Sequence, residues 1–152
     1  SGRVVGIDLK PVRARLKPTT KIHLGDAFKG PLKTLSPSGR RFDVVCSDMA
    51  PSTTGVRSVD QARSADLVAR TLDICEGLLA PGGHWVAKGF QGQEIDDLTD
   101  RIRTHFERFE RLRPPATRKH SFEVFLIGIG FRGGEVGSPK NSSDDTGWMP
   151  SL

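Results

Sequence analysis

The chain has 152 residues, 36% of them hydrophobic and 27% charged, enough for one domain with a core of its own. No apolar run approaches the roughly 20 residues that cross a bilayer, and no signal-peptide pattern opens the chain, so neither a membrane nor a secretory role is expected. Lys and Arg outnumber Asp and Glu by 23 to 18, a net charge of +5, a balance that suits a nucleic-acid partner about as well as a plain basic surface.

Residues 3–9 (RVVGIDL) read as a strand that ends on Asp8. A basic connection follows, with Lys10, Arg13, Arg15, Lys17 and Lys21 and no apolar period. Residues 21–24 (KIHL) form a short strand before Gly25-Asp26, and residues 29–41 a loop or short helix. Residues 42–47 (FDVVCS) read as a buried strand, because Val44, Val45 and Cys46 are an unbroken apolar run. It leads into Asp48 and the stiff turn Met49-Ala50-Pro51.

Ser58 is the expected helix start, with Gln61 at capping-box spacing. Ala65, Val68, Leu72, Cys75 and Leu79 recur at three- and four-residue steps, one face of that helix. Pro81-Gly82-Gly83 is expected to stop it. Residues 84–90 (HWVAKGF) are the next buried strand, broken by Lys88. Ile95, Leu98, Ile102 and Phe106 predict a second amphipathic helix, and residues 109–113 a short strand. Residues 121–131 (SFEVFLIGIGF) are expected to be the longest strand, and the Gly-, Ser- and Asp-rich stretch from 133 a disordered tail. The two cysteines, Cys46 and Cys75, both lie in apolar segments, which suits a reducing cytoplasm better than a disulfide framework.

Strands alternating with helices, with apolar runs on both faces, predict an α/β sheet that is mostly parallel. The last strand is the exception. Only seven residues, 114–120, separate it from the strand before, too few for a parallel crossover, so if the two strands pair they pair antiparallel. It therefore starts at the edge where the parallel strands finish. That places Asp48, Lys88 and Glu123 on one edge, the edge where open α/β sheets bind ligands, with Asp8 and Asp26 at neighbouring strand ends.

Each of these residues has a plain explanation when taken singly. Lys88 suits a lysine that snorkels to water, Glu123 an exposed edge position, and Asp8, Asp26 and Asp48 loop acids. Their combination points to a site. An amine flanked by carboxylates is a candidate general base, although desolvation lowers its pKa while the carboxylates raise it. A second basic cluster, Arg108, Arg111, Arg113, Arg118 and Lys119, leads into Glu123 and is placed to hold phosphates.

The segments GRVVGIDLKP, GDAF, FDVVCSDMAPSTTG, LAPGGHWVAKGFQG and SFEVFLIG, in this order across residues 2–132, resemble the FtsJ family of S-adenosylmethionine-dependent RNA 2′-O-ribose methyltransferases. The resemblance implies a Rossmann-like methyltransferase sheet over residues 1–132, mostly parallel with an antiparallel last strand. Asp48, Lys88 and Glu123 match the last three members of the family's Lys-Asp-Lys-Glu tetrad. Asp8 and Asp26 match positions facing the cofactor's ribose and adenine, and Asp48 lies near its methionine end. The family's first lysine, first strand and Gly-rich cofactor loop have no counterpart in these residues. The sheet is thus expected to be incomplete at its N-terminal side, and the natural protein to be longer there.

The resemblance further implies S-adenosylmethionine as cofactor, no metal, and a cytoplasmic monomer acting on ribosomal RNA of the large subunit, with transfer RNA as the other substrate class. The opposing expectation is a non-catalytic RNA-binding module or an inactive fragment. A nicotinamide dehydrogenase is disfavoured, because it needs a glycine fingerprint and leaves Lys88 with Glu123 unexplained.

Overall fold

The computed structural model describes residues 2–115 and 122–133. The expected tail and the end of the second basic cluster, Arg118 and Lys119, lie outside the described residues. The strands form two sheets. β1 (Val4–Asp8) and β2 (Thr20–Leu24) pair in parallel, from Val4↔Thr20 to Asp8↔Leu24. β3 (Phe42–Ser47), β4 (Leu79–Phe90), β5 (Phe106–Leu112) and β6 (Glu123–Phe131) form a four-stranded sheet in the order β3-β4-β6-β5. β3 is parallel to β4, while β6 is antiparallel to both β4 and β5. The reversed last strand deduced from the short connection is present.

One helix dominates. α1 (Arg57–Leu78) buries Ala65, Val68, Leu72 and Cys75 as the periodicity predicts, each fully buried aliphatic side chain contributing roughly 1.5–3 kcal/mol. It packs these against Trp85 and Ala87 of β4 and Val124 and Leu126 of β6. Of the polar residues on that face, Thr71 and Ser64 are satisfied within the core. The Thr71 hydroxyl donates to the Val68 carbonyl (2.7 Å) and accepts from Trp85 Nε1 (3.0 Å), and Ser64 Oγ accepts from the Phe90 amide (2.9 Å). Ile95 of α2 (Gln93–Asp97) and Ile102 of α3 (Thr99–His105) complete the same core.

The structure corrects several local expectations. α1 begins at Arg57, its N-cap Val56 makes no side-chain capping bond, and Gln61 closes no capping box. Pro81-Gly82-Gly83 lies inside β4, because Leu79 already pairs with Phe42. The register then slips, Val44 pairing with His84, and the chain turns at Gly82, whose φ of 78° favours glycine. β4 rather than β6 is therefore the longest strand, at 12 residues against 9. The second amphipathic segment is divided into α2 and α3 around Leu98, and Phe106 already belongs to β5.

β3 departs furthest from its pattern. Val44 is 50% exposed and Cys46 is exposed, leaving Cys75 as the buried cysteine. The physical reason is position. Among the described residues β3 pairs with β4 alone, and the helices pack on one face of the sheet only. On the other face Val86, Phe125, Ile127 and Ile129 are half-buried. An apolar run shows that a strand suits burial, not that a neighbour covers it.

Candidate active site

β3 ends at Ser47, so Asp48 is the first residue beyond the sheet, 82% exposed at its side chain. Lys88 lies two residues before the end of β4, and its side chain is only 15% exposed. Phe90, the last residue of β4, pairs with Glu123, the first of β6, and Lys88 pairs with Phe125. Lys88 and Glu123 are thus diagonal neighbours on one face, a spacing that long side chains bridge. The Lys88 ammonium lies 2.7 Å from Asp48 Oδ1, a charge-assisted hydrogen bond, and 3.8 Å from Glu123 Oε1, an ionic contact without a hydrogen bond. Sequence reasoning places these three residues together, and the structure brings them together.

The competition left open at Lys88 has a winner. The hydrogen bond that Lys88 donates to Asp48 holds the amine's pKa above the usual lysine value, with the charges of Asp48 and Glu123 adding to it, against the opposing effect of burial. Lys88 is an ion-paired ammonium at neutral pH. Its side chain is mostly covered while its ammonium reaches an exposed carboxylate, Asp48, at the sheet edge.

Asp8 and Asp26 stand at the ends of β1 and β2, and the Gly25 amide donates to the Asp8 carbonyl (2.9 Å). Each carboxylate uses one oxygen to close its own turn, Asp8 accepting from the Lys10 amide (2.8 Å) and Asp26 from the Phe28 amide (2.9 Å). A cleft of about 320 Å³ opens beside Asp26, walled by Ile7, Leu24, Ala27, Pro31 and Leu35. Asp8 ends β1 and Asp26 follows β2 by two residues, and no hydrogen bond or ion pair among the described residues joins them to the Lys88 cluster.

Sequence reasoning missed the residues that hold the loop after Asp48. Asp60, buried at the start of α1, accepts from the Thr54 amide (2.8 Å), the Thr54 hydroxyl (2.9 Å) and the Gly55 amide (3.3 Å). The Thr54 amide leads the causes that keep its carboxyl below the usual aspartate range, with burial opposing. Gln61 bonds the Gln91 carbonyl instead of a capping partner. Asp60 and Ser64 are four residues apart, on the face that α1 buries. Polar residues at helical spacing on an otherwise apolar face were the available signal.

The basic clusters behave differently from each other. Lys10, Arg13, Arg15, Lys17 and Lys21 are all exposed. In the other cluster, Arg111 is tied to Asp96 and Thr99, and Arg108 to Glu110 at 3.0 Å. Arg111 pins β5 to the helices and is not a free phosphate ligand.

Residues 1–131 match the model of the FtsJ-like methyltransferase family. The chain belongs to this family. Relatives include the ribosomal RNA large subunit methyltransferase E of Desulfatibacillum aliphaticivorans, 42% identical over 134 residues, which are 88% of this chain and 65% of that protein. The protein of the same name from Desulforapulum autotrophicum is 43% identical over 130 residues, 86% of this chain and 64% of that one. The chain thus spans less than two thirds of the length of either relative. A solved structure described as a ribosomal RNA methyltransferase, from Plasmodium falciparum, superposes with a TM-score of 0.73 at 20% identity, covering 86% of this chain and 73% of that one. At that identity it shows a shared fold, the Rossmann-like α/β sheet expected from the FtsJ-like segments.

Proposed function

We propose that the chain forms the catalytic portion of an S-adenosylmethionine-dependent enzyme that methylates a ribose 2′-hydroxyl in ribosomal RNA of the large subunit. The observation that carries this reading is Lys88 held between Asp48 and Glu123 at the ligand-binding edge of the sheet. The relatives named above, methyltransferases of large-subunit ribosomal RNA, supply the substrate class. The setting is cytoplasmic, consistent with the absence of any helix, among the described residues, long and apolar enough to cross a membrane.

The residues present fit the cofactor. Carboxylates at successive strand ends accept hydrogen bonds from ribose hydroxyls and an amine, so Asp8 and Asp26 would hold the nucleoside and Asp48 the methionine end. The apolar walls beside Asp26 suit a purine. When bound, S-adenosylmethionine supplies an electrophilic methyl group on its sulfonium.

A ribose hydroxyl is a weak nucleophile and must lose its proton as it attacks. Lys88 is the base in this reading, and Glu123 orients the hydroxyl from the far side of the amine. As an ammonium paired with Asp48, Lys88 cannot accept that proton. It must first lose its own, so transfer rises with pH until the amine is neutral. RNA closing over the edge excludes water and favours the neutral form.

Substituting Lys88→Ala in the natural protein tests the assignment. Methyl transfer to large-subunit RNA should fall by at least about 100-fold, the lower range of a lost general base, with cofactor binding retained. Near-normal turnover would remove Lys88 from the mechanism. A second reading, a non-catalytic RNA-binding module or inactive fragment, draws on the separation of Asp8 and Asp26 from the sheet that carries Lys88. Calorimetric titration of these 152 residues with S-adenosylmethionine distinguishes them. Heat of binding favours the enzyme, and silence here with binding by the natural protein favours the fragment.

A further inference from the structure

Beside the Lys88 cluster stands an aromatic residue that the catalytic reading does not use. Phe122 immediately precedes Glu123, about 3.8 Å away along the chain. It is held from several sides. Its ring meets that of Phe90 edge-on at 5.0 Å and 75°. Its carbonyl accepts from the Gln91 amide at 2.8 Å, and the Gln91 carbonyl is in turn bonded by Gln61 of α1. Phe90 itself is tied to α1 through Ser64. Phe122 nevertheless remains half-exposed, and the guanidinium of exposed Arg57, the first residue of α1, lies 5.2 Å from its centroid.

We propose that Phe122 and Arg57 form a stacking platform for a nucleobase of the substrate RNA, next to the ribose held at Lys88 and Glu123. Aromatic rings and guanidinium planes are the two protein surfaces on which unstacked RNA bases lie. Here both are present at one point, one residue from a carboxylate that touches the reacting amine. Rigidity matters as much as chemistry. A ring already fixed by Phe90 and Gln91 loses little freedom when a base covers it, so more of the stacking energy appears as affinity. Stacking tolerates any base, since each has a π-face, so the platform would hold the strand in place without selecting its sequence.

The proposal rests on the RNA methyltransferase reading, and the test keeps the two apart. The natural protein is titrated into short single-stranded RNAs carrying 2-aminopurine at successive positions, with fluorescence and anisotropy read together. One position should be strongly quenched. Phe122→Leu, which keeps an apolar contact for Phe90, should abolish that quench and weaken RNA binding roughly five- to a hundred-fold. Arg57→Gln, a change at an exposed position, should weaken binding by a smaller factor. In methyl-transfer assays both variants should raise KM for RNA more than they lower kcat, with cofactor binding unchanged. Unchanged quench and affinity in both variants would overturn the platform, while a Lys88→Ala variant that still loses transfer would leave the enzyme reading intact. Absence of a quenched position in the unaltered protein would also overturn the platform.

Discussion

β1 and β2 share five register pairs, yet neither strand contains a fully buried residue. In the four-stranded sheet, Trp85, Ala87, Leu126 and Phe106 are wholly enclosed, and α1, α2 and α3 supply the other half of that core. The acids read as nucleoside ligands thus sit on a two-stranded sheet of a size that is marginal by itself. Lys88, the proposed base, and its two carboxylates stand at the edge of the packed sheet. The proposed catalytic cluster thus rests on the enclosed core, and the acids proposed to hold the cofactor rest on strands without one.

The largest expected effect tests that contrast directly. Trp85 is fully buried, lies 5.8 Å from the Phe106 ring and donates to Thr71. Trp85→Ala should cost about 3–5 kcal/mol, read from denaturant melts. Ile22→Ala on half-buried β2 should cost about 1 kcal/mol or less, in line with an area-scaled loss. Equal losses at the two sites would mean that both sheets share one cooperative core. Gly128→Ala comes next. A methyl there would stand 2.6 Å from the Phe106 ring, and overpacking of this kind costs about 1–3 kcal/mol. A neutral result would show that the ring has room to move.

The loop after Asp48 gives a prediction with a pH sign. The native contacts of Asp60 hold its pKa low. Its contribution to stability is present above the unfolded aspartate value and is lost as pH falls through the lower folded value. Asp60→Asn keeps one acceptor oxygen but loses the charge. It should flatten the acid limb of the stability curve and loosen the loop, with amide exchange at Thr54 and Gly55 rising. An acid limb identical to that of the unaltered chain would show that Asp60 carries no such linkage.

How much of this was legible follows from where each signal resides. Asp48, Lys88 and Glu123 were readable because strand ends and a seven-residue connection are local features, and together they fix the edge to which each residue belongs. The Pro-Gly-Gly passage within β4 was not, because it is decided by pairing with the distant β3. The exposure of Val44 and Cys46 was hidden for a related reason. Apolar composition is the same whether a strand sits mid-sheet or at an open edge. Asp60 was passed over because a helix start at Ser58 puts Gln61, not Asp60, at the capping-box position, and its partners Thr54 and Gly55 lie six and five residues back in the loop.

The smallest change in structure sharpens the comparison at its centre. Asp48 is exposed, so Asp48→Asn should leave the melting curve nearly unmoved, a surface pair contributing about 0–1 kcal/mol. Its effect on Lys88 should be plain, because the Asp48 hydrogen bond leads the causes that raise the amine's pKa. Removing that charge leaves burial to pull the amine downward, with only Glu123 opposing. The Lys88 titration, followed by NMR of its side-chain methylene, should therefore shift to lower pH. In the unaltered chain the ion pair stabilises the fold fully below the unfolded lysine value, and that contribution disappears as pH rises through the raised folded one. The Asn variant should lose most of this alkaline dependence. If the Lys88 titration does not move, the 2.7 Å contact does not control the amine, and the proposed pH dependence of methyl transfer loses its source in the Asp48–Lys88 pair.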